Sequence, residues 1–215
     1  MTISKLFLGL GFLGLTLGCS SLPPPGVDNG RYIHPEYQIS FEAPPAPPWF
    51  QSKDLPSRFV PKSQTWVCTM GAFSDSIFVN DARNGAIAVD ATKTWQDLGV
   101  IPPQRIEAVI RKEMEKGAGI KAAPFVSNYE FKITAPYVCD IPLPLIRETF
   151  TIKNQGLPYR CEVRTYVYTV NKDDTRFLHF TLWSAPNTYK ENQAALDHIV
   201  KTIQRIPQEP QKPVQ

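Results

Sequence analysis

Cysteine and histidine are the residue types most typical of thiol catalysis and zinc sites, and this chain has few of them. They are four cysteines, Cys19, Cys68, Cys139 and Cys161, and three histidines, His34, His179 and His198. No His-x-x-x-His, Cys-x-x-Cys or His-Glu-x-x-His spacing occurs among them, and such spacings are typical of zinc sites. The sequence therefore predicts no metal site.

A thiol nucleophile with a histidine base is the one catalytic pairing that these residue types allow. Cys139 or Cys161 would attack and His179 would accept the proton, since such partners meet in space and need not be neighbours in sequence. One Cys and one His meet by chance just as easily in a domain of this size. The glycine patterns of serine hydrolases, P-loops and dinucleotide-binding folds do not occur, so we predict no catalytic residue and no cofactor.

Cys19 follows an N-terminal segment typical of exported proteins. Lys5 gives a positive start, and Leu6 to Leu17 form an apolar run that is shorter than the about 20 residues of a spanning helix. The sequence Gly18-Cys19-Ser20-Ser21 resembles the bacterial lipobox, although Thr16 replaces the usual Leu. The resemblance implies cleavage after residue 18 and acylation of Cys19, and two or three acyl chains anchor a protein stably. The alternatives are an ordinary secretory signal and an uncleaved anchor.

The residues after Cys19 predict where the chain goes and where its domain begins. By resemblance to the enterobacterial sorting rule, Ser20 in place of Asp implies the outer membrane, facing the periplasm, rather than the inner membrane. Residues 19–30 mix Pro, Gly and small polar residues, which predicts a semi-stiff linker. Residues 207–215 hold three prolines and predict a disordered tail. A single domain at 31–206 lies between them.

Export also permits disulfides, and Cys68, Cys139 and Cys161 remain once Cys19 is acylated. Three thiols form at most one bridge, and the sequence does not say which pair it would join. Cys68 and Cys161 lie in strand-like runs, where a free cysteine is usually a small buried residue. Cys139 lies in a proline-rich loop and is the predicted exposed thiol.

The charge of the chain argues against a nucleic-acid partner. The formal net charge is +3, and no basic run is longer than Arg111-Lys112, whereas nucleic-acid-binding domains carry clustered Lys and Arg. The predicted partners are the membrane, through lipid on Cys19, and a protein of unknown identity.

Arg164, Tyr166 and Tyr168 are spaced by two residues in a strand-like run, so their side chains share one face. If that face is the outer one, it offers a binding surface for a peptide, a glycan or a partner protein through stacking and hydrogen bonds. The alternative, which we favour, is that the rings lie under a helix.

Strand patterns dominate the domain. Alternating apolar and polar residues, or short β-branched and aromatic runs, predict strands. These are Tyr37–Glu42, Thr65–Met70, Ser76–Asn80, Gly85–Asp90, Asn128–Thr134, Arg147–Lys153, Tyr159–Val170 and Arg176–Ser184. A short polar connection joins the last two, which predicts a hairpin at the centre of the sheet.

Helical spacing occurs twice. Pro102–Lys116 begins with prolines and is followed by Gly117, which favours a helix with a defined start and end. At the C-terminal end, Thr188 and Glu191 fit a capping box, followed by the apolar stripe Ala195, Leu196, Ile199, Val200 and Ile203. Clustered strands with few helices predict the α+β class, a largely antiparallel sheet covered by about two helices.

The start and the end of the domain resemble the PsbP-like fold. The resemblance rests on the segment from Tyr37 to Pro44 with Trp49 after it, and on Phe177–Trp183 followed by Ser184-Ala185-Pro186 and the closing helix. The 136–144 loop looks like an insertion, and no photosystem-binding or GTPase-binding signature is found. The resemblance implies an α/β/α sandwich that serves as a binding or assembly module. We therefore predict a lipid-anchored envelope protein without catalysis; the alternatives are a thiol-dependent or hydrolytic enzyme and a small-ligand carrier.

Overall fold

The computed structural model describes ten stretches of the chain, and every structural statement below refers to them. They are residues 26–46, 48–59, 76–92, 105–115, 125–134, 137–138, 141–142, 145–154, 156–171 and 174–206. Cys19, Cys68, Cys139, the predicted strand Thr65–Met70 and the predicted tail lie outside them.

The elements follow the chain in this order. The strands are β1 (Gly26–Asp28), β2 (Arg31–His34), β3 (Ile39–Glu42), β4 (Trp49–Ser52), β5 (Ser76–Asn80), β6 (Gly85–Thr92), β7 (Val126–Thr134), β8 (Tyr137–Val138), β9 (Ile141–Pro142), β10 (Leu145–Asn154), β11 (Leu157–Asn171), β12 (Asp174–Ser184) and β13 (Gln204–Arg205). The α-helices are α1 (Ile106–Glu115) and α2 (Tyr189–Lys201), and Ser57–Phe59 and Pro186–Thr188 are 3-10 turns.

The large sheet has the order β4-β5-β6-β12-β11-β10-β7. Its described neighbours all pair antiparallel. The predicted hairpin of β11 and β12 is confirmed, with Arg160 opposite Ser184 at one end and Asn171 opposite Asp174 at the other. The two strands lie at the middle of the sheet because long apolar strands bury both faces. A smaller sheet has the order β1-β2-β3-β13. The predicted α+β class with a mostly antiparallel sheet is confirmed.

One face of the large sheet is covered by α2 and the small sheet. Even-numbered residues of β11 and β12 point to this face because side chains alternate along a strand. The buried cluster there joins Tyr166, Tyr168, Leu178, Phe180 and Leu182 of the large sheet to Tyr32 and Phe41 of the small one and to Ala195, Leu196 and Ile199 of α2. Leu196 is fully buried, and burying such a side chain contributes about 1.5–3 kcal/mol.

The opposite face carries the odd-numbered residues of the same strands. Cys161, Val163 and Trp183 pack there with Phe59, which follows β4 in the chain. Towards the other end of the strands, Val109 of α1 packs against a buried cluster formed by Ile146, Val167 and Phe177. Each face of the large sheet is thus in contact with an α-helix.

Two local predictions are corrected by the structure. The predicted linker does not extend to Gly30, because β1 pairs with β2 through a turn in which Asn29 and Gly30 adopt positive φ angles of 48° and 77°. The capping box at Thr188 is also wrong. Thr188 stands at the N-cap of α2 without a side-chain capping bond, and its hydroxyl donates backwards to the carbonyl of Ala185 at 3.3 Å. In the described chain, neither helix has the length and apolar character needed to cross a bilayer.

Candidate functional site

A cleft of about 380 Å³ lies where α2, the loop before β4 and the β5–β6 turn meet. Its lining comprises Pro45, Pro48, Trp49, Asn80, Ala82, Asn84, Glu191, Asn192, Ala194, Ala195 and His198. Its size is in the range of binding pockets, which combine apolar walls with a few placed polar groups. This cleft is the candidate functional site.

The two long walls of the cleft are apolar. Pro45, Pro48 and the indole of Trp49 form one wall, and the small side chains Ala194 and Ala195 of α2 form the other. Backbone hydrogen bonds hold the proline wall in place: Trp49 N–H donates to the carbonyl of Pro45 at 3.4 Å, and Asp81 N–H donates to that of Pro48 at 2.8 Å. The proline rings also restrict their own backbone, so this wall is stiff.

Three asparagines form the floor. Asn80 Nδ2 donates to Asn84 Oδ1 at 2.5 Å and to Asn192 Oδ1 at 3.0 Å. Asn192 Nδ2 donates to Ser184 Oγ at 2.8 Å and to Thr188 Oγ1 at 3.2 Å. Asn80, Asn192 and Ser184 are 6, 3 and 0% exposed. Because buried polar groups without partners are costly, this network fixes the start of α2 against the ends of β5 and β12.

Gly85 lets the helix approach this closely. It lies at the start of β6, and a Cβ built there would lie 2.4 Å from Asn192 Nδ2. Any side chain at position 85 would therefore displace Asn192 from the floor of the cleft. Gly85 N–H also donates to Asn80 Oδ1 at 3.2 Å, so the same glycine belongs to the asparagine network.

Three side chains of the lining, Asn84 in the floor and Glu191 and His198 at the rim, are able to contact a bound molecule. Glu191 is exposed. Asn84 accepts from Asn80 through Oδ1, and no described residue accepts from its Nδ2. His198 Nε2 lies 3.3 Å from Glu42 Oε2, which joins α2 to the end of β3. The cleft thus offers an amide donor and a carboxylate beside apolar walls.

A second polar network fastens α2 to the sheet away from the cleft. Glu162 of β11 is fully buried, and its Oε1 lies 2.6 Å from Arg164 Nε. Tyr189 OH and Gln193 Nε2, both on α2, donate to Oε2 at 2.5 and 2.7 Å. Arg147 Nη2 donates to the same oxygen at 3.2 Å. All these groups bond to the one carboxylate of Glu162, so the network fastens α2 to β11.

The charges of this network explain the ionisation of Glu162. Burial by itself would raise the pKa of this carboxyl, but the Arg164 charge and the hydrogen bonds from Tyr189, Arg147 and Arg164 outweigh burial and hold the pKa below its usual value. Arg164 Nη2 also lies 2.6 Å from Asp197 Oδ1 of α2. Arg164 is therefore an ion-pair partner of the helix.

The predicted surface of Arg164, Tyr166 and Tyr168 is not on the outside. The three side chains do share one face, but they are only 7, 2 and 6% exposed. They lie under α2 and the small sheet, and Tyr168 OH donates to the carbonyl of Tyr37 at 3.1 Å. The alternative that we favoured, in which the rings lie under a helix, agrees with these positions. Periodicity showed that the residues share a face and left open which element covers it.

Cys161 and His179 lie on the same face of the sheet but do not form a nucleophile and base pair. Cys161 stands opposite Trp183 and His179 opposite Thr165, which separates them by four residues along the hairpin, about 13 Å. Cys161 is unbridged and fully buried, and burial raises the pKa of its thiol. His179 is partly buried, and desolvation lowers the pKa of its ring to about 4.

Of the other two histidines, one lies in the core and the other lines the cleft. His34 is buried and packs edge-on against Tyr37, with ring centroids 4.5 Å apart, whereas His198 lines the cleft. In the described stretches, no group of three His, Cys, Asp or Glu side chains could hold a metal ion.

Glu148 is a second buried carboxyl, on the sheet face opposite α2. It is 6% exposed, and it accepts a hydrogen bond of 2.8 Å from Tyr129 OH. Desolvation raises the pKa of Glu148 to about 7, and the Tyr129 hydrogen bond opposes this only in part. Ile146 and Phe150, two residues away on either side of Glu148 in β10, are buried apolar side chains.

The sequence did not identify the cleft residues. Asn80 and Asn192 are 112 residues apart, and asparagine is common in turns and at helix starts, so neither position stands out. The clustered prolines at 44–48 are a local signal for a loop before β4, but they do not show what that loop faces.

No protein-family model matches the chain, and no curated protein matches it. Among solved structures, it is similar to LpqN, described as involved in cell envelope biogenesis of Mycobacterium tuberculosis, at 12% identity over 79% of this chain and 83% of that one, with a TM-score of 0.48. It is also similar to protein PA94 of unknown function from Pseudomonas aeruginosa, a putative regulator, at 10% identity over 59% and 74% with a TM-score of 0.38. The Ran-binding protein Mog1p of Saccharomyces cerevisiae matches at 10% identity over 84% and 97%, with a TM-score of 0.41.

Proposed function

We propose that this chain is a lipid-anchored protein of the bacterial cell envelope, and that its domain binds another molecule in the cleft without catalysing a reaction. The observation that carries the proposal is the cleft itself. It combines apolar walls, a hydrogen-bonded polar floor and an amide donor at Asn84 that no described residue accepts from, which is the composition of a binding site.

Lipid on Cys19 is the proposed anchor. The proposal is supported by the apolar run that ends in Gly18-Cys19-Ser20, and Ser20 favours the outer membrane, facing the periplasm. Mass spectrometry of the mature protein should find an acylated Cys19 at the amino terminus. A mature terminus elsewhere, without fatty acid, would contradict this part of the proposal.

A thiol enzyme is the less favoured function. Its described candidate nucleophile, Cys161, is buried with a raised pKa, whereas reactive cysteines have lowered pKa values and are accessible. Cys139 remains the predicted exposed thiol, and alkylating it should leave binding in the cleft intact.

The sandwich architecture is part of the proposal. Val109 of α1 packs on one face of the large sheet and Leu196 of α2 on the other, which supports a PsbP-like α/β/α arrangement covered by two helices. In this arrangement the cleft lies along α2, which lines it from Glu191 to His198.

Site-directed photocrosslinking tests the binding role. A diazirine amino acid at Ala194, an exposed position that lines the cleft, should form an adduct with a partner in the native membrane. The matched control places the same group at Glu130, which is exposed on edge strand β7, at the far side of the sheet from β4 and β5. Equal adducts at both positions, or none at Ala194, would contradict the proposal.

A small-ligand carrier is the second candidate, because about 380 Å³ also suits a small molecule. Native mass spectrometry of the protein extracted from its membrane distinguishes the two. A small-ligand carrier should show a constant added mass of about a few hundred daltons. The variant Ala194→Trp, which fills the cleft, should lose that added mass.

A further inference from the structure

The turn between β10 and β11 carries an apolar side chain that the fold leaves in solvent. Leu157 stands opposite Asn154 in the last register pair of this hairpin, and it is 59% exposed. Among the large apolar side chains of the described chain, only Phe50 is also exposed. Gly156 gives the turn a left-handed residue, with a φ angle of 81°, and Asn154 Nδ2 donates to the carbonyl of Arg58 at 2.7 Å. Leu157 is therefore presented on a turn that is fastened to its neighbour.

Four exposed basic side chains lie around this turn. Lys153 precedes the turn, and Arg58 is joined to the turn by the hydrogen bond just described. Arg160, three residues after Leu157, places its guanidinium 4.3 Å from the ring centre of Tyr189, and Lys190 is the next residue of α2. None of the four basic residues forms an ion pair with a residue that the structure describes.

The cations flank the turn on both faces of the sheet. Ile152 packs on the face opposite α2, so its neighbour Lys153 points to the face that α2 covers. Arg58 lies on the other side, since it precedes Phe59, which packs there. The four positive charges exceed the formal net charge of the whole chain, which is +3. This end of the sheet is therefore a concentrated basic surface around one apolar side chain.

The nearby carboxylates are engaged elsewhere and do not neutralise this surface. Glu162 is buried between Arg147 and Arg164. Glu191 follows Lys190 in the chain but lines the cleft, on the flank of α2 away from β11.

We propose that this end of the sheet contacts the surface of a bilayer of anionic phospholipids. We call it the basic tip, and it consists of Arg58, Lys153, Leu157, Arg160 and Lys190. Leu157 enters the boundary between headgroups and acyl chains, and the four cations meet the headgroup phosphates. The inference goes beyond the proposed function, because it gives the domain a membrane contact of its own, on a surface other than the cleft.

A bilayer suits the basic tip better than a protein partner does. The core of a protein interface is depleted of charged residues and is formed by several large apolar side chains, whereas here Leu157 stands alone among cations. At an anionic bilayer, each Lys or Arg near the surface adds about fivefold to the affinity. Four cations and one inserted leucine are therefore enough for a weak contact that holds the domain against the membrane.

Photocrosslinking in vesicles tests the proposal. The full mature chain, extracted from its membrane, is reconstituted into vesicles of phosphatidylglycerol or of phosphatidylcholine. A diazirine analogue of leucine at Leu157 keeps the apolar side chain and should form lipid adducts in phosphatidylglycerol, detected by mass spectrometry. The same group at Phe50 is the control, since Phe50 is exposed on β4, four strands away from β11. The adduct yield at Leu157 should exceed that at Phe50 by at least about fivefold in phosphatidylglycerol and should equal it in phosphatidylcholine.

Charge variants test the role of the cations. Lys153→Gln and Lys190→Gln should each lower the adduct yield at Leu157 in phosphatidylglycerol by up to about fivefold, the effect of one basic residue near an anionic surface. Lys132→Gln is the matched control. Lys132 is exposed on β7 opposite Arg147, about 24 Å along the strands from the turn. This distance is more than twice the Debye length, so its removal should leave the yield unchanged.

Equal lipid adducts at Leu157 and Phe50 in phosphatidylglycerol would overturn the inference. So would a yield at Leu157 that responds neither to the lipid charge nor to the variants of Lys153 and Lys190. In the native membrane, an adduct of Leu157 with a protein in place of lipid would likewise overturn it. These outcomes are separate from partner capture at Ala194, which tests the cleft and requires no lipid adduct at Leu157.

Discussion

Glu148 should make the stability of the folded protein depend on pH. Its pKa is about 7 in the folded state against an ordinary value of 4.5, so the folded state holds its proton more tightly than the unfolded chain does. A raised pKa contributes stability that is fully present below pH 4.5 and is lost as the pH rises through 7. At 1.36 kcal/mol per pKa unit, the whole contribution is about 3 kcal/mol.

The substitution Glu148→Gln isolates this effect. Glutamine keeps the size of the side chain and an oxygen to accept from Tyr129, but it has no proton to lose. The free energy of unfolding, measured in urea, should be similar in the two proteins at pH 5. At pH 8 the variant should be more stable than the original by about 2–3 kcal/mol.

The difference in free energy of unfolding between the original protein and Glu148→Gln, taken at each pH, cancels the contributions of the other titrating groups. His179 has a lowered pKa of about 4, so it contributes stability that is lost below pH 6.5, and this opposite trend is common to both proteins. Glu130→Gln on the exposed part of β7 is the control and should change stability by less than about 0.5 kcal/mol at either pH. A difference between Glu148→Gln and the original that does not change from pH 5 to pH 8 would refute the reasoning.

Three further predictions concern the core and the cleft. Asn192→Ala should lower the free energy of unfolding in urea by about 1–3 kcal/mol, because it leaves buried polar partners unsatisfied. A loss below about 0.5 kcal/mol, the change expected at an ordinary surface site, would contradict the structural role of the network. Leu196→Ala should cost about 2–5 kcal/mol by opening a cavity under α2, whereas Glu191→Ala on the exposed side of α2 should cost under about 0.5 kcal/mol by the same assay. The Cys161 thiol should resist iodoacetamide in the folded protein and react in urea, as peptide mass spectrometry of the alkylated chain would show; equal labelling in both states would contradict its burial.

The sequence correctly predicted the elements that can be recognised from their own residues alone. Strand β12 follows the predicted Arg176–Ser184 closely, starting two residues earlier, because a short run rich in aromatic and aliphatic residues is itself a strand signal. The capping box failed because two residues of the right types do not fix the backbone that precedes them. Pro186 begins a 3-10 turn, and Thr188 has φ −111° and ψ 8°, from which its hydroxyl bonds back to Ala185.

The candidate site could not be predicted for a different reason. The cleft is formed by three segments that meet only in the folded protein: the loop before β4, the turn after β5 and residues 191–198 of α2. Each residue in it has an ordinary local role, such as Asn80 before a turn or Ala194 on a helix. Only the tertiary contact between Asn80 and Asn192 shows that these residues, which are distant in sequence, line one site.

The double attachment of α2 fixes the shape of the cleft. Polar contacts hold the helix at Asn192 on one flank and at Tyr189 and Gln193 on the other, while Leu196 occupies the core between them. A turn of the helix by one residue, about 100°, would move Leu196 out of that core and break both networks. The surface of the cleft is therefore fixed by the fold alone, so a molecule that binds there would require little reordering of the protein.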